Sequence, residues 1–222
     1  MKTKKLIIYG DSHFAEMLAH YFQTDSVYEV VAYCVDEAYR TRTEIAGVPV
    51  YAFEKIEQYF SAKEHWIFAA IGYKSVRTHK RLFEKVAQLS FPIASYISSQ
   101  AMVDSTAKIG KNCLILPGVN IEPYCIIDDN CFVNSGVIVC HNTHIYAHTI
   151  LAAGSLVGGY VTIGESSLIA FHATVAELLN LGTETLLAAN SLLLENTENH
   201  TMYVGSPAKV LRKHSDTGIV LS

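Results

Sequence analysis

Three histidines fall within eight residues in the segment VIVCHNTHIYAHTIL, which spans residues 137–151: His141, His144 and His148. A histidine side chain can accept or donate a proton near neutral pH, and its neutral form is a common zinc ligand. The three residues are therefore candidates for a catalytic base with helpers, for zinc ligands, or for polar positions on the outside of a repeat. The choice among these depends on the elements that position them.

The composition narrows the class of protein. Half of the 222 residues are apolar and only 17% are charged, against about 25% in a typical soluble domain. The low fraction of charged residues suggests a surface that is partly buried against other chains. The net charge is −4 and there is no basic stripe, so we do not expect nucleic acid to be the main partner.

The amino terminus and the cysteines favour a cytoplasmic location. The apolar run in MKTKKLIIYGDSHF ends at Gly10 after four residues, which is too short for a signal peptide. No window reaches about 18 continuous apolar residues, so we expect no membrane span. The five cysteines are an odd number without paired spacing, which favours reduced thiols.

Residues 1–92 alternate short apolar runs with helical patterns. The runs at 6–9, 29–35 and 66–71 read as buried strands, and the segments 13–22 and 75–89 have apolar residues at helical spacing. Strands that alternate with helices predict a parallel sheet built from βαβ units.

The period changes to six after about residue 100. An Ile, Leu or Val occupies every sixth position from Val103 to Leu193, sixteen positions in register without an insertion. Such a repeat fixes the architecture of the segment that contains it. Each hexad is read as a short strand and a corner, three hexads close a triangular coil of eighteen residues, and successive coils stack.

The residue four positions after each aliphatic residue is usually small and should also point inward. Cys113, Cys125 and Cys131 occupy such positions, so we interpret them as core residues rather than ligands. Stacked coils leave open ends and flat apolar walls, so oligomerisation is expected.

The hexad run resembles the left-handed parallel β-helix of the hexapeptide acyltransferases. Together with the amino-terminal half, residues 4–213 are similar to bacterial nucleotide-sugar acetyltransferases, the family of bacillosamine and perosamine N-acetyltransferases and sialic-acid O-acetyltransferases. The resemblance implies an α/β Rossmann-like βαβ domain (1–94), which binds the nucleotide sugar. It also implies an all-β left-handed β-helix (95–198) and a tail that contacts CoA (199–222). It further implies a homotrimer that binds acetyl-CoA between neighbouring β-helices.

In the amino-terminal half, the resemblance implies contacts with the nucleotide sugar at the strand-to-helix turn YGDSHFAE and near the next strand ends. A helix amino terminus suits a phosphate group. Only one glycine of a G-x-G-x-x-G pattern is present, so dinucleotide binding is not supported. The alternatives are a plain tight turn at residues 10–13, an exposed loop acid at Asp36 and a surface ion pair at Arg77. The implied substrate-binding residues are Gly10, Asp11, Ser12, His13, Asp36, Gly72 and Arg77.

The tail VGSPAKVLRK (204–213) matches the G-x-P-A-K tail of the family, which lies near the adenine and the 3′-phosphate of CoA. The alternative is a generic basic tail. The residues expected to bind the cofactor are His148, Gly158, Gly159, Ala170, Phe171, Ala189, Gly205, Pro207 and Lys209.

The family places its histidine general base at the position of His141. Gly159 lies one coil later, and its missing side chain should leave room for a ligand above the histidine. Many relatives follow the base with Glu or Asp, where this chain has Asn142, and have a second histidine where it has Ile150. His144, which we place at a hexad corner, and His148 are alternatives for that second role. A base without a carboxylate neighbour suits an amine, so we expect N-acetylation of an amino sugar. The family resemblance implies that this is a 4-amino-4,6-dideoxy sugar for surface-glycan biosynthesis.

Three other functions were weighed. O-acetylation of a sialic-acid-like sugar is the first alternative. The second is a zinc enzyme like the γ-class carbonic anhydrases, which share this β-helix, but their ligand spacing differs from His-x-x-His-x-x-x-His and we expect no metal. The third is a non-catalytic scaffold, which the strand–turn–helix half and the pair His141 and Gly159 argue against.

Overall fold

The computed structural model describes residues 4–72 and 74–221. It forms two compact units, Met1–Gly72 with Arg81–Tyr96, and Tyr73–Lys80 with Ile97–Ser222. The division by contacts thus falls at Tyr96 rather than at 94, and the tail packs within the second unit. The predicted functional division into 1–94, 95–198 and 199–222 stays a prediction.

The amino-terminal unit contains a five-stranded sheet in the order β3-β4-β2-β1-β5. Its strands are β1 (Lys4–Tyr9), β2 (Tyr28–Val35), β3 (Glu44–Ile45), β4 (Val48–Ala52) and β5 (His65–Ala69). The helices of the chain are α1 (His13–Thr24), α2 (Ile56–Tyr59) and α3 (Val76–Ala87), with 3-10 turns at Glu37–Tyr39 and Phe53–Lys55. Strand β1 pairs in parallel with β2 and β5, and β2 with β4, which confirms the predicted parallel sheet. The antiparallel hairpin β3–β4 was not predicted.

Helix α1 packs on this sheet because its apolar residues recur on one face. Ala15, Leu18, Ala19 and Phe22 are buried, at the spacing of three and four that lines one side of a helix. The ring of Phe22 meets that of Phe68 on β5 edge to face, with centroids 5.1 Å apart. This packing holds the helix against the sheet.

The strand order reverses at β1, which has β2 on one side and β5 on the other. Ligands of open α/β sheets bind beyond the carboxyl ends of the strands at such a point. Gly10 follows β1 there with φ +129°, and a Cβ on it would lie 2.7 Å from the carbonyl oxygen of Ala70. Glycine is therefore required at this turn.

The carboxyl-terminal unit contains sixteen two-residue strands, each formed by the first two residues of a hexad. They are β7 (Met102–Val103), β8 (Lys108–Ile109), β9 (Leu114–Ile115), β10 (Asn120–Ile121), β11 (Ile126–Ile127), β12 (Phe132–Val133), β13 (Ile138–Val139), β14 (His144–Ile145), β15 (Ile150–Leu151), β16 (Leu156–Val157), β17 (Thr162–Ile163), β18 (Leu168–Ile169), β19 (Thr174–Val175), β20 (Asn180–Leu181), β21 (Leu186–Leu187) and β22 (Leu192–Leu193). The short strand β6 (Tyr96–Ile97) precedes them.

These strands stack into three parallel sheets, with each strand paired to the one eighteen residues later. We call them wall A (β7, β10, β13, β16, β19, β22), wall B (β8, β11, β14, β17, β20) and wall C (β9, β12, β15, β18, β21). The edge of a wall is the corner that follows its strands. The predicted coil of eighteen residues is confirmed.

The aliphatic residues predicted to point inward form one core along the prism. They are buried together with the small residues four positions later. Cys113, Cys125 and Cys131 are fully buried, as predicted. Burial is the first cause that raises the pKa of all three thiols, so they stay protonated fillers of the core.

The tail continues wall C. Strand β23 (Thr201–Gly205) pairs in parallel with β21, and β24 (Ala208–Lys213) pairs antiparallel with β23. The chain then returns to the start of α3, where the N–H of Val76, the first residue of the helix, donates to the carbonyl of Ile219. None of the helices in the described ranges is both long and apolar enough to cross a membrane.

Candidate active site

His141 lies on the edge of wall A, two residues after β13. Asn142 follows it with φ +58°, a left-handed conformation that asparagine tolerates better than most residues. The backbone N–H of His141 donates to Oε2 of Glu122 on the preceding coil, at 2.9 Å. The conformation of Asn142 and the hydrogen bond to Glu122 therefore fix the backbone of His141, from which the imidazole projects.

The imidazole of His141 is oriented by its neighbour in sequence. Nδ1 lies 3.2 Å from Oδ1 of Asn142. Because an amide oxygen only accepts, the neutral ring carries its proton on Nδ1, and Nε2 keeps the lone pair. The side chain is exposed, so Nε2 can serve as a base towards a bound molecule.

Gly159 lies against this ring, as the eighteen-residue spacing predicted. A Cβ on Gly159 would come within 3.0 Å of Cε1 and 3.1 Å of Nε2 of His141. The ring of Tyr160 meets the imidazole edge to face, with centroids 5.3 Å apart. The space left by the missing side chain is thus taken by the imidazole itself, which corrects the expectation that it is open for a ligand.

His144 lies in strand β14 of wall B, not at a corner as predicted. Its Nε2 is 3.1 Å from Oδ2 of Asp128, and its ring stacks on Tyr146 with centroids 4.1 Å apart. Both contacts of the His144 side chain are therefore with residues on the edge of wall B.

His148 is buried on the edge of wall B, with 6% of its surface exposed. Nδ2 of Asn130 lies 3.0 Å from its Nδ1, and Nε2 lies 3.6 Å from Glu165. Because the amide nitrogen donates, Nδ1 is the acceptor and the neutral ring carries its proton on Nε2. Burial lowers the pKa of His148 to about 4, against a smaller opposing effect of Glu165. The sequence predicted that His148 faces the cofactor, whereas its side chain is buried beside Asn130 and Glu165.

The three histidines are therefore not brought together. Each imidazole has a different partner, and they lie on two edges and one strand of the prism. In the described part of the chain, no group of three His, Cys, Asp or Glu side chains is arranged to hold a metal ion.

The residues predicted to bind the cofactor lie on three edges. His148 is on the edge of wall B, and Gly158 and Gly159 are on the edge of wall A beside His141. The remaining positions on the side of wall C are Ala170, exposed Phe171, exposed Ala189 and Gly205, the last residue of β23. One chain does not bring these edges to a common site.

Gly158 and the tail differ in the groups that they can present to the cofactor. The N–H of Gly158 donates to the carbonyl of Val175 in the coil ladder, so this N–H is already engaged and does not contact the cofactor as a free donor. Pro207 lies in the exposed turn between β23 and β24. Nζ of Lys209 on β24 is exposed and lies 3.1 Å from Oε1 of Glu195, an ion pair that water screens.

The strand-to-helix turn after β1 has the form predicted for it. Oγ of Ser12 caps helix α1 by accepting from the N–H of Ala15 at 3.4 Å. Asp11 is half-buried, and the side chain of His13 is exposed beside Glu16. The turn lies where the strand order reverses, and its contact with a phosphate stays a prediction.

Asp36 directly follows β2 in the same unit. Its Oδ1 lies 2.7 Å from Oη of Tyr9, which donates to it, and 2.7 Å from Nζ of Lys85. It is therefore held by two side chains, where the sequence left open an exposed loop acid.

Gly72 is exposed after β5, and Arg77 lies in the first turn of α3. Nε and Nη2 of Arg77 bind Oε1 and Oε2 of Glu184 at 2.6 and 2.8 Å. This is the ion pair that the sequence left open, and a phosphate contact of Arg77 stays a prediction. The hydrogen bond from Arg77 is the first cause that lowers the pKa of Glu184.

Two residues at these sites were missed. Glu122 contacts the backbone of His141 from nineteen residues away, and Lys85 reaches Asp36 from a helix that begins forty residues after it. Position 122 could have been found, because it lies one coil before His141 to within one residue. No signal in the sequence pairs Lys85 with Asp36.

The fold and the edge of wall A define a hexapeptide-repeat β-helix protein with a Rossmann-like amino-terminal unit. Residues 5–86 match the PglD N-terminal domain family, and residues 97–203 match the GMPPB C-terminal domain family. The two matches follow one another along the chain in the same order as the two units.

Curated relatives match the repeat region. Serine acetyltransferase 2 of Arabidopsis thaliana is 27% identical over 137 residues, which is 60% of this chain and 40% of that protein. A tetrahydropyridine-dicarboxylate N-succinyltransferase of a Wolbachia endosymbiont is 36% identical over 91 residues, 35% of this chain and 31% of that protein. The chain spans less than half the length of these relatives.

Solved structures match the whole architecture. The acetyltransferase domain of PglB from Neisseria gonorrhoeae has a TM-score of 0.82 and 22% identity, covering 94% of this chain and 100% of that one. A mutant GDP-perosamine N-acetyl transferase from Caulobacter crescentus, solved with CoA and GDP-perosamine, has a TM-score of 0.81 and 23% identity, covering 94% and 97%. At this identity the likeness establishes the fold, and it supports the predicted left-handed β-helix.

The resemblance inferred from the residues is thereby confirmed. The chain combines a PglD-type amino-terminal domain with a hexapeptide-repeat β-helix, and it shares its fold with the PglB acetyltransferase domain and the GDP-perosamine N-acetyl transferase.

Proposed function

We propose that this protein transfers an acetyl group from acetyl-CoA to the amine of a nucleotide-linked amino sugar, with His141 as the general base. The observation that carries the proposal is the imidazole of His141, whose Nδ1 is bound by Asn142 so that Nε2 is the unprotonated nitrogen. The domain match to PglD and the relatives solved with CoA and GDP-perosamine support it.

The reaction proceeds by direct transfer. The sugar amine attacks the thioester carbonyl to give a tetrahedral intermediate, and Nε2 of His141 takes the proton that the attacking nitrogen loses. The intermediate then expels CoA as its thiolate, which receives that proton, so the products are the amide and CoA. A positioned base contributes about 10²–10⁴ in rate to such a step.

Asn142 favours an amine over a hydroxyl as acceptor. The amide oxygen orients the imidazole but, unlike a carboxylate, brings no charge that would stabilise the imidazolium. An amine is already nucleophilic and loses its proton after attack, whereas a hydroxyl must be activated first. We therefore propose N-acetylation, and the resemblance to perosamine N-acetyltransferases supports a 4-amino-4,6-dideoxy sugar as the acceptor.

The cofactor residues support a homotrimer. Those on the edge of wall A and those on the edge of wall C lie apart in one chain, and a second copy can present one edge to the other. Tyr124, Tyr160 and Leu178 project from the edge of wall A with 64%, 57% and 66% of their surface exposed. Exposed apolar residues in a row are typical of a surface that another chain covers. Light scattering that gives three times the chain mass would agree with this proposal.

We further propose that the protein works in the cytoplasm in surface-glycan biosynthesis. The support is the resemblance to perosamine and bacillosamine N-acetyltransferases.

The test is CoA release from acetyl-CoA with UDP-, dTDP- and GDP-linked 4-amino sugars, with sialic acids as the contrasting set. We expect turnover on one amino sugar, with a base-stable product that is heavier by one acetyl group. Turnover on a sialic acid alone, with a product that mild base hydrolyses, would replace the proposal by O-acetylation. No turnover with any acceptor would reject acetyl transfer to these sugars.

A further inference from the structure

The carboxylate of Asp36 is held through one of its two oxygens. Oη of Tyr9 donates to Oδ1 at 2.7 Å, and Nζ of Lys85 lies 2.7 Å from the same oxygen. No other residue in the described ranges has a hydrogen bond or ion pair to Oδ2. The Asp36 side chain is 20% exposed, so a bound molecule can reach it.

The two partners also fix the charge of the group. Burial alone would raise the pKa of Asp36, but hydrogen bonds from Lys85 and Tyr9, aided by nearby Arg81, outweigh burial and lower it. Burial, followed by the bond to Asp36, raises the pKa of Tyr9, so its hydroxyl remains a donor. Asp36 is therefore an ionised group that only accepts hydrogen bonds.

The two partners of Asp36 also pack against a common aromatic ring, that of Phe53. Nζ of Lys85 lies 4.5 Å from the ring centroid of Phe53, and the rings of Tyr9 and Phe53 are 4.6 Å apart. Lys85 also offsets the negative charge of Asp36, which would otherwise repel a phosphate group at the Gly10 turn that follows Tyr9. An acceptor that is already oriented binds its donor at a lower entropic cost.

We propose that Tyr9 and Lys85 are positioning residues that aim Oδ2 of Asp36 at an N–H or O–H donor in the nucleoside part of a nucleoside diphosphate. This inference rests on the proposed function and makes it more specific. Two groups of a nucleoside can donate this hydrogen bond to Oδ2: the 2′-hydroxyl of a ribose and the ring N–H of the base.

The test measures binding alone, by calorimetry on the full chain. UDP, GDP and dTDP are titrated first, and the tightest is compared with analogues that lack the 2′-hydroxyl, where it has one, or carry a methyl on the ring nitrogen. A hydrogen bond to a charged acceptor corresponds to about tenfold or more in affinity. We expect wild type to discriminate by about that factor against the one analogue that has lost the donor.

The variants Tyr9→Phe and Lys85→Gln should reduce this ratio to about twofold or less, since both lose the constraint on Asp36. Lys85→Arg, which keeps the charge, should restore the ratio. Tyr28→Phe and Lys63→Gln are matched controls: Tyr28 begins β2 at the opposite end of the sheet, and Lys63 is exposed before β5. Both controls should keep the wild-type ratio.

A purely structural role would lower the affinity for all nucleotides equally and leave the ratio intact, which would overturn the inference. Equal binding of every analogue by wild type would overturn it as well, while the proposed function stands. If no nucleoside diphosphate binds to wild type, the proposed substrate class fails, and the inference fails with it.

Discussion

The imidazole of His141 lies against Gly159 of the next coil, so closely that a Cβ on the glycine would come within 3.0 Å of the ring. Asn142 then fixes which nitrogen of the ring carries the proton. The candidate base is thus held from one side by the neighbouring coil and from the other by the next residue.

Replacing His141 by Ala should lower kcat by about 10²–10⁴, the contribution of a positioned base, without changing the melting temperature. His172→Ala is a matched control, because its ring is also exposed and lies against a glycine, Gly154. Steady-state CoA release measures both variants. Activity of His141→Ala within twofold of wild type would remove His141 from the chemistry.

The two adjacent glycines should respond differently to alanine. In Gly159→Ala the new Cβ displaces the imidazole of His141, so we expect at least a tenfold loss of kcat in a folded protein. In Gly158→Ala the Cβ would lie 2.6 Å from the backbone nitrogen of Glu177, so we expect a loss of stability of about 1–3 kcal/mol. Thermal unfolding and CoA release together separate the two effects, and full activity of Gly159→Ala would place the reaction elsewhere.

Lys209→Ala should raise the KM for acetyl-CoA several-fold and leave the KM for the sugar unchanged, because the tail is predicted to contact the CoA phosphates. Lys213→Ala is the control, since Lys213 is on the same strand and forms a similar exposed ion pair, with Glu198. An effect on the sugar KM instead would reject the assignment of the tail.

His148 should make the protein less stable in mild acid. Its pKa is about 4 in the folded protein, below the unfolded value of 6.5, so the unfolded chain binds the proton first. The stabilising effect is complete above pH 6.5 and is lost as the pH falls towards 4, at a cost of about 3 kcal/mol. Denaturant unfolding at several pH values measures this loss.

His148→Asn is the variant that isolates this effect. Asparagine tolerates the positive φ of 62° at this position, and its amide oxygen can still accept from Asn130. Its stability should therefore fall less steeply than that of wild type between pH 6.5 and 4. An identical slope for the two proteins would show that His148 does not control acid stability.

Cys140 should not form an acyl-enzyme. It is half-buried beside His141, and burial followed by the Glu122 carboxylate raises the pKa of its thiol, which disfavours the thiolate. Cys140→Ala should keep at least half of the wild-type kcat, and mass spectrometry of the protein with acetyl-CoA should show no added acetyl group. A covalent acetyl group that disappears in Cys140→Ala would replace direct transfer by a two-step route.

The β-helix could be predicted from sequence almost residue by residue, because its period of six repeats without interruption. The same repeat predicted that Gly159 lies beside His141, because it comes one coil of eighteen residues later. What it did not give was the burial of corner side chains. His148 was expected to be accessible to the cofactor, and it is instead buried against the amide of Asn130.

The amino-terminal unit was less predictable because its key contacts are not periodic. The hairpin β3–β4 turns at Ala46 and Gly47, both with positive φ, and Ala-Gly lacks the Asn-Gly or Asp-Gly signature of such turns. Asp36 was identified through the family resemblance. Its partner Lys85 comes from a distant helix, and such a pairing follows from the tertiary fold alone.

The buried corner formed by Asn112, Asn130 and His148 has a consequence for folding. Nδ2 of Asn112 donates to Oδ1 of Asn130, and Nδ2 of Asn130 donates to Nδ1 of His148, so side-chain hydrogen bonds join three successive coils. The aliphatic positions are nearly interchangeable, and a coil that slipped by one turn would still bury them. A slip would leave these amides without partners, at the cost of burying unpaired polar groups. The polar corner therefore acts as a register mark that distinguishes the correct stacking of the coils from its near-repeats.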